Sequence, residues 1–440
     1  MKKNIRKAKP LILKRSTKHW NKALEVIPGG SQTFSKSPFQ HVNGVSPKII
    51  RKAKGCYSWD VDGNKFIDYM MSLGPNILGY ADPTINKAAM EAARDGVVTS
   101  LSHPLEYELA KLMTDIIPSA EMVRFGKNGS DVTTAAIRVA RAFTGKNKIL
   151  VCGYHGWHDW FIGSTPRNLG VPREISKLTL TFEYNNIKSL KKVIKNNKNQ
   201  IAAIIMEPVN FYEPTNNFLE NVSKIAKENR ILLIYDEIIT GFRMNIGGAQ
   251  SYYKITPDLS CFGKALGNGY PISALVGRKE IMKLFNEAFF SGTFAGELIS
   301  ISAAIKTIKE IKKRKTINHI NNLGAKIKSG YRKIITENKF EYFTNIIGFN
   351  WWPEYIFFNK DGSPSLEKQS LFQQEIIRRG VLTRAGMFIC GSHSEKDIQK
   401  TLGVFEEALD FVNFAIKKNK VLEYLDGEVI VPVIRKQKKK

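Results

Sequence analysis

Residues 231–237 read Ile231-Leu232-Leu233-Ile234-Tyr235-Asp236-Glu237. Five apolar residues run together and two carboxylates come directly after them. A continuous apolar run of this length fits a strand buried on both faces, not one with a wet side. Residues 202–206 read the same way and are also followed by an acid, Glu207. Outward from these runs the pattern alternates. Strand character recurs at 122–125 and 148–152, and helical spacing recurs at 131–143, 187–195 and 219–229. Such alternation predicts an α/β fold, with a mostly parallel sheet covered by helices on both faces.

The flanks read differently. Residues 16–26 are expected to form a short helix stopped by Pro28-Gly29-Gly30, and residues 31–47 a loop. Residues 49–71 read as short strands with Asp62-Gly63 as a tight turn. After residue 300 come two long basic helices, at 296–313 and 317–337, and a mixed segment with Trp351, Trp352 and Pro353. Helices at 365–379 and 395–416 flank a short Val381-Leu382 strand. This predicts a large domain over 66–317. Residues 1–65 and 318–440 would together make a smaller α+β domain with a basic tail at each end.

The chain has 440 residues, 43% hydrophobic and 24% charged, and a net charge of +27. That composition suits a folded chain of two domains. About half of the excess charge lies at the ends: Lys2, Lys3, Arg6, Lys7, Lys9, Lys14, Arg15, Lys18 and Lys22, then Arg435, Lys436, Lys438, Lys439 and Lys440. Nucleic-acid or anionic-membrane binding is one reading of such ends, and solvated tails the other. No apolar stretch reaches 18 residues, and Leu11-Ile12-Leu13 is too short for a signal peptide. Cys56, Cys152, Cys261 and Cys390 form no C-x-x-C pair and read as thiols in a reducing cytoplasm.

In an open parallel sheet, ligands bind beyond the carboxyl ends of the strands. The residues just after each apolar run are therefore the candidates for chemistry. Gly126-Lys127-Asn128-Gly129-Ser130-Asp131 opens a helix and suits an anion, through free N–H groups and a hydroxyl. Gly153-Tyr154-His155-Gly156-Trp157-His158-Asp159-Trp160 offers rings for stacking, or His155, His158 and Asp159 for a metal, though no third element supplies a clear further ligand. Asp236 suits a protonated nitrogen. Lys264 stands among Gly263, Gly267 and Gly269, where a desolvated lysine can form a Schiff base. Ser291-Gly292-Thr293 is a second phosphate-type loop. A lysine, a carboxylate, phosphate donors and a ring to stack on are together what pyridoxal phosphate needs. No metal site is expected.

From about residue 17 to 410 the chain resembles class III (ω-type) pyridoxal-phosphate aminotransferases, on the glutamate-1-semialdehyde 2,1-aminomutase branch. The segments that carry this are Ile27-Pro-Gly-Gly30, Asp60-Val-Asp-Gly63, Ile67-Asp-Tyr69, Gly74-Pro75, Glu121-Met-Val-Arg-Phe125, Arg138-Val-Ala-Arg-Ala142, Thr144-Gly145, Tyr154-His-Gly156, Asp236-Glu237, Thr240-Gly-Phe-Arg243, Gly263-Lys264 and Ser291-Gly-Thr293. The resemblance implies the fold-type I transferase fold, pyridoxal 5'-phosphate as cofactor, and a homodimer. It implies Lys264 as the Schiff-base lysine and proton shuttle, Asp236 on the pyridine nitrogen, and Glu207 near the substrate end. Ile238 and Tyr154 would flank the ring. Gly129 and Ser130 would bind the phosphate, with Thr293 reaching in from the neighbouring subunit.

The sequence departs from the aminomutase pattern at the substrate end. That enzyme usually carries an arginine shortly after its Pro-Gly-Gly. Residues 31–40 here hold none, and Lys36 lacks the bidentate fork. The Gly/Ala/Ser-rich loop expected after Tyr-His-Gly is replaced by residues 157–172, with Trp157 and Trp160, which suit either a sugar ring or the core. Arg243 and Arg384 are candidate carboxylate anchors. The expected activity is transfer of an amino group from a donor to a keto or aldehyde acceptor, with an amino-sugar role in surface polysaccharide synthesis as one possibility. The alternatives are the aminomutase itself, then a lyase or racemase on the same cofactor. The rival outside enzymes is a non-catalytic nucleic-acid-binding protein.

Overall fold

The computed structural model describes residues 5–431. Lys2 and Lys3, and the five basic residues of 435–440, lie outside the described residues. The rest forms two compact units. One comprises residues 5–73, 78–82 and 318–431; the other comprises 74–77 and 83–317.

The first unit begins with the helix Lys14–Val26, followed by strands β1 (Ile50–Lys54), β2 (Tyr57–Asp60) and β3 (Lys65–Asp68). The turn between β2 and β3 contains the expected Asp62-Gly63. Asp62 does more than turn the chain. Its two carboxylate oxygens accept the N–H groups of Arg15 and Ser16, each at 2.7 Å. These donors lie in the first turn of the helix and have no partner within it. Residues 31–47 hold short 3-10 turns at Phe34–Lys36 and Pro38–Gln40.

The second unit is built on seven strands. In chain order they are β4 (Met122–Gly126), β5 (Lys148–Cys152), β6 (Thr179–Thr181), β7 (Ile201–Met206), β8 (Leu232–Asp236), β9 (Leu259–Phe262) and β10 (Ser273–Gly277). Their order across the sheet is β4-β10-β9-β8-β7-β5-β6. Every pairing from β9 to β6 is parallel. β10 runs antiparallel to both its neighbours. Every residue of β7 and β8 is buried.

The two-residue period of the strands divides the core. Ile149, Val151, Ala203, Ile205, Leu232 and Ile234 pack on the face covered by the Gly129–Thr144 helix. Leu150, Cys152, Ile204, Met206, Leu233 and Tyr235 pack on the other, under the helices Ile187–Asn196 and Phe218–Glu228. This is why the apolar runs are continuous: both faces are dry.

The chain returns to the first unit through the helices Leu298–Lys313 and Thr316–Glu337. The Trp351-Trp352 segment belongs to an antiparallel hairpin, β11 (Thr344–Phe349) and β12 (Trp352–Phe357). After the helix Leu366–Arg378, β13 (Val381–Leu382) pairs parallel with β3 and completes the sheet β1-β2-β3-β13. The helix Glu395–Lys417 comes next. No helix among the described residues is long and apolar enough to cross a membrane.

Candidate active site

β4, β5, β7, β8 and β9 all point the same way, because β10 reverses twice between β9 and β4. Their carboxyl ends share one edge of the sheet. The residues singled out in the sequence leave from that edge: Gly129 and Ser130 after β4, Tyr154 after β5, Glu207 after β7, Asp236 at the end of β8, and Lys264 after β9.

Asp236 is 4% exposed. Its Oδ1 accepts the Ile238 N–H at 3.1 Å, and its Oδ2 lies 2.8 Å from His155 Nδ1. Glu237, the next residue, faces the other way. It accepts hydrogen bonds from the Thr240 hydroxyl, from the Ala249 and Gln250 N–H groups at 2.7 and 2.9 Å, and from Gln250 Nε2 at 3.3 Å. The acid pair thus divides into one group at the site edge and one clamp inside the fold.

Lys264 opens the 3-10 turn Lys264–Gly267 with φ of 38°, a left-handed backbone unusual for a residue with a side chain. Burial pulls its ammonium below the usual lysine range, while the charges of Glu207 and Asp236 push it back and Arg243 lowers it further. Burial also raises the Glu207 carboxyl, helped by Asp236 and opposed by His155, the Tyr154 N–H and Lys264. Glu207 Oε2 accepts that N–H at 3.1 Å. Lys264, Asp236 and Glu207 therefore share one electrostatic neighbourhood.

Gly129 starts the Gly129–Thr144 helix, whose first N–H groups lack intrahelical acceptors. A Cβ on Gly129 would sit 3.2 Å from Ile238 Cδ1, so the helix start lies directly beside Ile238. Ser130 Oγ accepts the Trp157 N–H at 3.3 Å and keeps its own proton to donate. Gly156, with φ of 104°, closes over that hydroxyl; a Cβ there would collide with Ser130 Oγ. Tyr154 is 48% exposed and meets Phe161 edge-on at 5.6 Å. Thr293 is brought elsewhere. It lines a cavity of about 330 Å³ with Lys127, Arg138, His158 and Phe294.

A helix start with a free hydroxyl, a buried strand-end carboxylate and a lysine that parts easily with its proton fit the phosphate, ring nitrogen and aldehyde of pyridoxal phosphate. The comparisons with known proteins agree. A family model described as aminotransferase class-III matches residues 39–348. The chain belongs to the class-III aminotransferases. A 3-aminobutyryl-CoA aminotransferase of Cloacimonas acidaminovorans is 36% identical, covering 91% of this chain and 98% of its own. A glutamate-1-semialdehyde 2,1-aminomutase of Alkaliphilus oremlandii is 35% identical, covering 90% and 99%. The FumI protein of Sphingopyxis sp. MTA144, solved with pyridoxal phosphate in its internal aldimine form, superposes with a TM-score of 0.87 at 27% identity, covering 95% and 99%. This class-III chain is an enzyme of the pyridoxal-phosphate-dependent kind, with the fold-type I architecture. Its basic ends thus belong to a catalyst.

Several residues take places the sequence did not reveal. His155 neither stacks at the surface nor joins His158 on a metal. It is buried on Asp236, while His158 Nδ1 lies 2.7 Å from the Thr134 hydroxyl. Among the described residues no group of three His, Cys, Asp or Glu side chains gathers for a metal. Trp160 is core, 6% exposed, and donates to Thr134 Oγ1 at 2.8 Å; Trp157 is 67% exposed. Arg243 is 1% exposed and donates to the Gly74 carbonyl at 2.6 Å, which makes it a brace inside its unit. Lys127 pairs with Glu297 at 2.7 Å, a contact across 170 residues with no local sequence signal.

Arg384 lies in the first unit, where its Nη1 donates to Gln40 Oε1 at 3.2 Å. Glu354 shares its neighbourhood. Burial pushes that carboxyl up to about 7 from an ordinary 4.5, with Arg384 pulling the other way. Its Oε2 is buried without a partner. A carboxyl raised on folding stabilises fully below its unfolded pKa and loses that contribution as pH rises through the folded value. Stability is thus expected to fall by roughly 3 kcal/mol between about pH 4 and pH 8 on account of this group. Urea denaturation across that range should show the slope, and Glu354→Gln should flatten it.

Gly156→Ala offers a second test. An L side chain at φ of 104° is strained, and its Cβ would displace the Ser130 hydroxyl. A loss of about 2 kcal/mol in denaturation is expected. Pyridoxal-phosphate titration should show weaker binding in the same variant.

Proposed function

We propose that this enzyme is an aminotransferase that carries an amino group from one molecule, the donor, to a separate keto or aldehyde acceptor. The observation that carries the reading is the cluster of Lys264 with Asp236 and Glu207 at one sheet edge, with the lysine's hold on its proton weakened by burial. The bound cofactor supplies an electron sink for the donor's carbanion. Lys264 Nζ takes the proton from the donor carbon that bears the nitrogen, and returns one when the acceptor is aminated. Asp236 gives the ring nitrogen an acceptor. Gly129 and Ser130 hold the phosphate, Ile238 and Tyr154 flank the ring, and Glu207 faces the substrate end.

Transfer between molecules, rather than within one, is supported by residues 31–40. This stretch supplies exposed Phe34 and Phe39 and a single lysine, without a guanidinium for the aminomutase's substrate. Two acceptor classes have support. The exposed indole of Trp157 suits a keto sugar. The relative named 3-aminobutyryl-CoA aminotransferase suits a 3-oxoacyl thioester.

The enzyme in this reading is a homodimer. Thr293 lies exposed in a loop between Phe289 and Phe294, which are 75% and 62% exposed. A second copy would cover these rings, and Thr293 would serve the partner's cofactor. Light scattering should return twice the chain mass of 49.7 kDa. The four cysteines are free and buried, which suits a reducing cytoplasm.

The deciding experiment charges the enzyme with the aminated cofactor bearing ¹⁵N. Keto sugars, 3-oxoacyl thioesters and glutamate 1-semialdehyde are then offered in turn. Label appearing in a keto sugar or a 3-oxoacyl thioester, with the cofactor left in its aldehyde form, supports the proposal. Turnover of glutamate 1-semialdehyde alone, with the label passed to its aldehyde carbon and its own nitrogen left on the cofactor, would establish the aminomutase instead.

A further inference from the structure

Beyond the helix Glu395–Lys417 the chain folds back along the first unit without forming a strand. This segment lies past residue 410, where the resemblance to the family stops. One helix face receives it. Ser370, Gln374 and Arg378 stand one turn apart on the helix Leu366–Arg378, with their side chains buried. The Ser370 hydroxyl accepts the Ile430 N–H at 3.0 Å. The Gln374 amide accepts the Asp426 N–H at 2.8 Å and donates to the Tyr424 carbonyl at 3.0 Å. Arg378 meets the Asp426 carboxylate at 2.7 Å.

The other side of the segment grips residues 38–46, which hold only the short turn Pro38–Gln40. The Glu428 N–H donates to the Asn43 carbonyl at 3.0 Å, and Asn43 Nδ2 donates to Glu428 Oε2 at 3.1 Å. The Val431 N–H donates to the Phe39 carbonyl at 3.1 Å, and Gln40 Nε2 donates to the Val431 carbonyl at 2.5 Å. Ile430 closes a small core with Val42 and Val45. Gly427 passes so near that a Cβ there would stand 2.2 Å from the Asn43 carbonyl oxygen. Gln40 is thereby held at both ends of its amide. An arginine can only donate, so Oε1 faces Arg384 Nη1, 3.2 Å away, and Nε2 faces Val431.

Ordering a segment of this length costs conformational entropy at every residue. Its apolar cover over the loop is limited to Ile430 and Leu425, so what it gives the loop is position more than burial. We infer that residues 421–431 are a strap that sets acceptor specificity, by fixing the exposed Phe39 and the twice-bonded Gln40 in the stretch that borders the acceptor. That role rests on the proposed reading of residues 31–40 as part of the substrate end. Gln40 is a positioning residue, and the strap takes no part in the chemistry.

The test compares Gly427→Ala and Gln40→Ala with wild type, each loaded with cofactor. Gly427→Ala drives the strap off the loop. Gln40→Ala keeps the strap and cuts its link to Arg384. Deuterium exchange of residues 38–46 is expected to rise roughly ten-fold in Gly427→Ala and to stay near wild type in Gln40→Ala. The aminated enzymes are then titrated with keto sugars, 3-oxoacyl thioesters and glutamate 1-semialdehyde. For whichever turns over, the half-saturating concentration should rise roughly ten-fold in both variants, with the maximal rate within about two-fold. Glu423→Gln, on the strap but exposed and paired with Lys420, should alter neither readout. Thermal melts of the apo forms control for folding. Exchange that stays slow in Gly427→Ala overturns the strap. Faster exchange with unchanged saturation overturns its part in specificity, and so does an equal shift in Glu423→Gln. If glutamate 1-semialdehyde alone turns over, transfer between molecules fails, and the strap is judged on the saturation of that substrate.

Discussion

Lys264→Ala is expected to remove the visible absorbance of the cofactor-loaded enzyme and to lower kcat about ten-thousand-fold, the upper range for losing a positioned acid–base group. The size of the effect comes from isolation. Lys127 is tied to Glu297, so it offers no replacement amine at the site. Burial weakens the grip of Lys264 on its proton, which is what an amine needs to act as a nucleophile near neutral pH. Folding should not suffer in proportion. Alanine tolerates φ of 38° no worse than lysine, and the change removes a half-buried charge. Apo stability is expected to stay within about 1 kcal/mol. Absorbance spectra, single-turnover rates and thermal melts measure the three parts. A variant that stays yellow and turns over would end the assignment of Lys264.

Asp236→Ala comes second. It leaves the Ile238 N–H and His155 Nδ1–H without their acceptor, and buried donors left alone cost roughly 1–3 kcal/mol each. On the proposed pairing of Asp236 with the ring nitrogen it also removes the group that faces that nitrogen, for which a loss of about hundred- to thousand-fold in kcat is expected. Asp236→Asn separates the causes. The amide keeps the shape but not the charge, so it should recover stability and cofactor retention while kcat stays low. Equilibrium dialysis of pyridoxal phosphate beside steady-state kinetics would show the split. Equal recovery of both in Asp236→Asn would mean that shape, not charge, is what matters.

The fold was legible because its central strands are dry on both sides. A run such as Ile201–Met206, buried at every position, has only one economical place in a domain of this size. The candidate site was legible for a related reason: its residues come directly after those runs. What escaped was set by pairing at long range. Nothing near residues 273–277 announces that β10 runs against its neighbours. Nor does the Trp351-Trp352 stretch show a hairpin, because both its strands carry apolar residues on adjacent positions. The union of His155 with Asp236 depends on β5 and β8 ending at one edge with β7 between them. Trp157 and Trp160 look alike in sequence, yet a turn and a half-formed helix at Asp159–Ile162 send one outward and one into the core. Arg243 looked like a ligand-binding cation and is an internal brace, a distinction set by the position of Gly74.

The reversal of β10 has a consequence for how the lysine is kept in place. In an ordinary parallel crossover, the segment after β9 would leave along a helix and could fray with it. Here a ten-residue loop, 263–272, begins with Lys264 in its first turn and returns to the same sheet, so that Phe262 and Ala274 sit side by side in the ladder. The loop is fastened at both ends to the middle of the sheet, with β8 on one side and β4 on the other. Releasing the two roots of the loop requires parting those strands, which is expected to cost as much as opening the whole unit. Amide protons of β9 and β10 should therefore exchange with deuterium only as fast as the whole unit opens. The amine proposed to hold the cofactor would thus stand on a loop whose two roots last as long as the native state.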